Sequence, residues 1–297
     1  LWIMKWVTRL FIGGAILFGV GTAGYLAWSY QRDFNWLPDW GSVLPFNETN
    51  EAGFTFIVMG DNEGDTPVFQ AIIRQASTKP AKFLINVADL TPNSKLSDFE
   101  LVKNRLDSLP FSYYTAVGNN DIVGDRSRRR YLTSFSQAQL GVGNSQTTYY
   151  SFDEGPAHFV VLDNADRRVG FDEDQLAWLD RDLAQTDQRW IFLFMHRPVD
   201  VPLTDVYGDD ETPASRQSNE KFKAILRRYP VTRIYTGHLH VYFSYKLEGV
   251  PVTITGGGGA APQAVLADLL GEQFHYLEVQ VTDSEVNQSV QRIESTD

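Results

Sequence analysis

The chain has 297 residues, 43% of them hydrophobic, enough for one large domain or two small ones around a sizeable core. Against 26 Lys plus Arg stand 37 Asp plus Glu, and the net charge of -11 opposes long-range attraction to nucleic acid or anionic lipid. Cysteine is absent, which excludes disulfides and thiolate metal sites and leaves His, Asp, Glu and Asn as the available metal ligands.

Residues 10–28, "LFIGGAILFGVGTAGYLAW", carry no charge and as a helix would reach about 28 Å, close to the hydrocarbon thickness of a bilayer. Lys5 and Arg9 precede this run, while Arg32, Asp33 and Asp39 follow it, so residues 1–9 are expected in the cytoplasm and the bulk of the chain outside. The competing reading is a cleaved signal peptide, but no A-x-A-like site stands in "GYLAWSYQRD"; an uncleaved single-pass anchor is the preferred reading. Ala15, Gly19, Ala23 and Ala27 form a small-residue stripe suited to pairing two such helices in a homodimer. Residues 29–52 mix Pro, Gly, Asn and aromatics without periodicity and read as a linker to a domain over residues 53–297.

Short apolar runs then alternate with helix-like stretches. "FTFIVMG", "TPVFQAIIRQAS", "KFLINVA", "LSDFELVKNRLDSL" and "FSYYTAV" read as β-α-β-α-β. The strand "HFVVLD", the amphipathic "DEDQLAWLDRDLAQ", the strand "WIFLFM", a helix near "SNEKFKAILRRY" and the strand "RIYTG" come next. "VYFSYKLEG", "PVTITG", "HYLEVQVTD" and "NQSVQRIE" read as strands only, which predicts an α/β fold with a second sheet packed on a largely parallel one. Residues 201–218 read as a long acidic loop, the kind that shapes a pocket or merely stays solvated.

In open α/β sheets functional groups gather just past the carboxyl ends of strands. Five strand-end loops carry such groups: "MGDNEG" with Asp61, Asn62 and Glu63; "VADLTPNS" with Asp89; "VGNND" with Asn119 and Asn120; "MHRP" with His196; and "TGHLH" with His238 and His240. Oxygen and imidazole donors in this mixture suit Zn, Mn and Fe better than Ca or Mg, and a binuclear centre would fit. Of the five histidines, His158 and His275 carry the structural reading of satisfied core residues. "VGNND" taken alone is a turn, because Gly, Asn and Asp are the commonest turn formers.

In order, these blocks resemble the calcineurin-like metallophosphoesterase superfamily, whose pattern is D-x-H, GD, GNH followed by D or E, a lone H, and GHxH. The resemblance implies a four-layer αββα sandwich of two mixed sheets carrying two divalent or trivalent transition-metal ions, Fe, Mn or Zn. It places one ion on Asp61, Asp89 and His240 and the other on Asp89, Asn119, His196 and His238, with Asp89 shared. It implies hydrolysis of a phosphomonoester or phosphodiester by hydroxide drawn from a water shared by the metals, on a phosphorylated small-molecule or lipid substrate, with no nucleic-acid partner. Asn62, Asp209 and Asp210 are the candidates for contacting substrate.

Three blocks depart from the pattern. Glu63 stands where the family has His, and it either ligates through oxygen, supports a ligand, or points away. Ala88 replaces a Gly. Asn120 replaces the catalytic His, and an amide donates a hydrogen bond but delivers no proton, so another acid is needed for poor leaving groups; His275 and the acids Asp209, Asp210 and Glu211 are candidates. The alternative reading is a catalytically impaired metal-binding pseudoenzyme acting as a binding or scaffold protein.

Overall fold

The computed structural model describes residues 53–124, 128–135, 146–202, 211–263 and 274–294. The expected anchor over residues 10–28 and the acids Asp209 and Asp210 lie outside them. Among the described residues no helix is long and apolar enough to cross a membrane.

Two mixed sheets with helices make an α/β fold. The first runs β11-β10-β1-β2-β3, built from β1 (Gly53–Met59), β2 (Ala81–Asn86), β3 (Ser112–Thr115), β10 (Phe274–Thr282) and β11 (Val286–Ile293). Its β1, β2 and β3 are parallel, while β10 pairs antiparallel with both β1 and β11. The second runs β4-β5-β6-β7-β9-β8, from β4 (Tyr150–Glu154), β5 (Ala157–Val161), β6 (Trp190–Phe194), β7 (Arg233–Thr236), β8 (Tyr242–Leu247) and β9 (Val250–Thr255). Here β5, β6, β7 and β9 are parallel, and the hairpin partners β4 and β8 close the two edges.

Alternation in the strands sends one set of side chains between the sheets and the other under the helices. Phe56, Val58, Phe83, Ile85, Phe159, Phe192, Phe194, Tyr235 and Val279 form the core between the sheets. The aromatic rings there meet edge-on or stacked, as Phe56 does with Phe159 at 5.2 Å and Phe83 at 5.5 Å, adding geometric fit to burial. The other face of the first sheet, with Ile57, Met59 and Leu84, packs under α1 (Pro67–Ala76), α2 (Leu96–Leu106) and α3 (Arg129–Ser134) through Phe69, Ile72, Phe99, Val102 and Tyr131. On the second sheet the alternate residues Ile191, Leu193 and Ile234 are also buried, as are Leu176, Leu179 and Leu183 of α4 (Glu173–Gln185) and Phe222 of α5 (Pro213–Leu226).

The helix starts follow from capping chemistry. Thr66 accepts from Phe69 N and is followed by Pro67, and Asp172 accepts from Gln175 N. Thr212 and Ser215 form a capping box, so α5 begins at Pro213 inside the stretch expected to be loop. The reason is local: the Thr-Pro start lies well before Phe222, where the apolar signal becomes strong.

Candidate metal centre

The loops leaving β1 and β2 run alongside each other after the strands end. Asp61 N bonds Ala88 O at 2.9 Å, Glu63 N bonds Asp89 O at 2.9 Å, and Gly64 N bonds Leu90 O at 2.8 Å. Asn62 is fully buried, and its amide donates to Gly64 O and Leu90 O while accepting from Asn86 Nδ2. It braces the two loops, and both polar atoms of its side chain are engaged in doing so.

The third loop is locked to the second through Asp121, the acid that follows the amide pair. Its buried carboxylate accepts from Leu90 N, Thr91 N, Thr91 Oγ1 and Gly118 N. Gly118 permits the close approach, since a Cβ there would sit 2.1 Å from Asp89 Oδ1. Asn120 N donates to that same Asp89 oxygen at 2.9 Å. In the fifth loop His238 N donates to both Asp61 oxygens, at 2.9 and 3.0 Å, and Gly237 leaves room for that carboxylate. The turn reading of "VGNND" therefore holds, with Asn119 leading into a 3₁₀ turn over Asn120–Ile122.

Together these loops bring most of the expected ligands into one place. Ligand atoms of Asp89, His196 and His238 lie within 4.8 Å of one another. His196 Nε2 stands 3.3 Å from Asp89 Oδ2 and 2.9 Å from Asn119 Oδ1. His240 Nε2 stands 3.7 Å from Asp61 Oδ1 and 3.8 Å from Glu63 Oε1, so Glu63 turns toward the cluster. In both His196 and His240 the Nδ1 atom faces a backbone carbonyl, Val87 O at 3.3 Å and Ala261 O at 2.6 Å, the arrangement that holds an imidazole with Nε2 aimed at a cation.

The electrostatics agree with that chemistry. Burial pushes the Asp61 carboxyl up to about 7 against the opposing pull of His196 and His240. Burial also raises Glu63, against the pull of His240. Burial and then the charge of Asp89 raise Asp121 to about 7. Asp89 escapes this: burial works to raise it, but His196 outweighs burial and holds it below the ordinary carboxylate range. His196 rises correspondingly to about 9, with Asp89 overcoming its desolvation. Crowded buried carboxyls with imidazoles facing them form a hard-to-borderline donor set, and it fits transition-metal cations.

Arg197 is a site residue that no sequence pattern indicated. It is 9% exposed, its backbone is clamped by Asn164 from both sides, and its Nη1 lies 3.3 Å from Asn119 Oδ1. Its place next to His196 on the same strand-end loop was the available signal. His275 is placed in other company: it is fully buried, with Nε2 3.1 Å from Thr255 Oγ1 and its ring 5.6 Å from Tyr242. Glu211 takes the amide of Asn219 at 2.6 Å beside the start of α5. A separate surface cavity of about 520 Å³, lined by residues that include Tyr149, Trp178 and Arg181, contains none of the candidate ligands.

Comparison with known proteins places this geometry. Residues 54–242 match the family model described as calcineurin-like phosphoesterase. Purple acid phosphatase 23 of Arabidopsis thaliana is 31% identical over 166 residues, which are 51% of this chain and 34% of that protein. The chain thus spans about a third of that curated relative's length. Among solved structures, the purple acid phosphatase PPD1 of yellow lupin (Lupinus luteus) shares the fold with a TM-score of 0.63 at 17% identity, covering 84% of this chain and 52% of that one. A dimetal phosphatase from Danio rerio does so with a TM-score of 0.59 at 15% identity, covering 80% and 96%. The family model spans more than half of the sequence and contains every loop of the cluster, and the chain belongs to the calcineurin-like phosphoesterase family.

Proposed function

We propose that the chain is a metal-dependent phosphoester hydrolase, acting on a phosphomonoester or phosphodiester through a binuclear centre. Asp61, Glu63, Asp89 and His240 would hold one ion, and Asp89, Asn119, His196 and His238 the other. The observation that carries this reading is the convergence of Asp89, His196 and His238 from three separate loops to within 4.8 Å. When bound, two cations lower the pKa of a water they share and polarise the phosphoryl oxygens during in-line attack. The residues supply orientation. The backbone carbonyls at Val87 and Ala261 aim the imidazoles, and the buried guanidinium of Arg197 offers charge-assisted hydrogen bonds to a phosphoryl oxygen in a protein of net charge -11.

The four-layer arrangement implied by the resemblance is part of this proposal, supported by the buried outer faces of both sheets. So is a single-pass anchor over residues 10–28, with the hydrolase domain outside the membrane and helix pairing through the small-residue stripe; the support is the apolar run and its flanking charges. A phosphorylated small molecule or lipid at the membrane surface is the corresponding substrate class. The second reading, a metal-binding pseudoenzyme, is favoured by Asn120, because an amide there cannot protonate a leaving group, and by Glu63 in place of the family's His.

His238→Ala tests the hydrolase reading. Its expected result is loss of p-nitrophenyl phosphate hydrolysis together with lower bound metal, measured by elemental analysis, in a protein with an unchanged circular dichroism spectrum. Wild-type turnover and metal content in that variant would overturn the assignment.

A further inference from the structure

Of the three departures from the family pattern, the two that change a polar side chain, Glu63 and Asn120, touch each other. Asn120 Nδ2 donates to Glu63 Oε1 at 2.7 Å across a sequence separation of 57 residues. The contact continues: Asn119 Nδ2 donates to Asn120 Oδ1 at 3.0 Å, and Arg197 Nη1 donates to Asn119 Oδ1 at 3.3 Å. The four side chains therefore form a line from a cation to an anion through two amides.

The direction of that line is fixed by chemistry at both ends. A guanidinium only donates and a carboxylate only accepts, whereas each amide has one donating and one accepting end. Arg197 therefore takes the oxygen of Asn119, whose NH₂ must face Asn120. Asn120 in turn presents its oxygen to Asn119 and its NH₂ to Glu63. Flipping either amide would set donor against donor or acceptor against acceptor, so both orientations are determined together. The outcome at each end concerns a ligand. The oxygen of Asn119 is left beside His196 Nε2 at 2.9 Å, and Glu63 Oε1 is held 3.8 Å from His240 Nε2.

We propose that Asn119 and Asn120 act as an oriented amide relay from Arg197 to Glu63, and that Asn120 is a positioning residue setting one ligand at each metal. This deepens the binuclear reading and rests on it. It gives Asn120 a task other than acting on substrate, because both ends of its amide are engaged with Asn119 and Glu63 and its backbone N–H with Asp89. It also links the two departures: Glu63 in place of the family's imidazole needs a donor facing it, and the amide at position 120 supplies one.

The test has two arms on the full chain. In metal-free protein carrying ¹⁵N-asparagine, the side-chain NH₂ protons of Asn120 are expected to be protected from solvent exchange, and Glu63→Ala is expected to remove that protection. Exchange at the rate of a free amide in the unmodified chain would overturn the relay whether or not metal binds. In the second arm, Mn²⁺ titration followed by elemental analysis is expected to give two ions for the unmodified chain. Asn120→Ala should weaken both by about 10- to 100-fold, the usual cost of losing a partner that orients a ligand, whereas Glu63→Gln should weaken one. Two ions bound to Asn120→Ala at wild-type affinity would overturn the positioning role. An unmodified chain that binds no Mn²⁺, Fe²⁺ or Zn²⁺ would overturn the binuclear reading and the positioning role with it, while amide protection alone still decides the relay.

Discussion

Ala88 holds φ at 86°, and Asp61, Glu63, Asp89 and His238 hold it at 58°, 44°, 46° and 70°. Each non-glycine residue in this region costs about 1–3 kcal/mol, and such strain persists only where surrounding contacts over-determine it. Here they do: Asn62, Asn86 and Asp121 tie the first three loops together, and Asp61 holds the His238 backbone. Of these five positions Ala88 is the one without a candidate ligand side chain, and a glycine there would relax without removing a polar contact to the centre. Ala88→Gly is expected to raise stability by about 1 kcal/mol in denaturant unfolding with metal content unchanged; no gain would show that the position is not strained. Residue types at the strand ends made Asp61, Asp89, His196, His238 and His240 legible from sequence alone. The inward turn of Asn62 and the meeting of Asn120 with Glu63 were not legible, because both depend on loops distant in sequence becoming neighbours.

The strands place the loops, and a second set of contacts fixes the strands. His158 on β5 lies between Asp153 on β4, at 2.6 Å, and Asp182 on α4, at 2.9 Å, while Ser151 donates to Asp182. The structural reading of this histidine thus acquires a cause: it ties the edge hairpin of the second sheet to the helix above it. Burial works to lower its pKa, but the hydrogen bonds to Asp182 and Asp153 prevail and raise it above the ordinary 6.5. A raised folded pKa contributes stability that is fully present below the unfolded value and is lost as pH rises through the folded one. His158→Gln should therefore be less stable than wild type by more at pH 6 than at pH 9. The change is on the order of 1 kcal/mol, since Asp153 is half exposed and screened by solvent. An equal gap at both pH values in denaturant titrations would contradict the assignment. Among the described residues the sequence reading found most strands and α-helices by period but missed β4 and α3. β4 is an edge strand with only one residue fully buried, and α3 is too short to show a periodic face.

At the scale of the whole molecule, the parallel strands β1-β2-β3 and β5-β6-β7-β9 leave their carboxyl ends along one rim of each sheet, and the two sheets face each other so that the loops after five of those strands, β1, β2, β3, β6 and β7, serve one site. The alternation of strand and helix with a strand-only tail made this architecture readable in outline. Pairing β10 beside β1, more than two hundred residues away in sequence, was not readable, because antiparallel partners leave no local mark. Acid chemistry follows from the same site: with Asn120 engaged in positioning, leaving groups that depart unprotonated should be hydrolysed best, since general acid catalysis contributes about 10²- to 10⁴-fold.

The most direct test is a titration of the purified, chelator-stripped chain with Mn²⁺, Fe²⁺ or Zn²⁺, following bound metal together with turnover of p-nitrophenyl phosphate, its diester and an alkyl phosphate. Two ions per chain, with hydrolysis appearing as they bind and the aryl esters cleaved faster than the alkyl one, is the expected result. Two bound ions with no turnover of any ester would contradict the hydrolase reading.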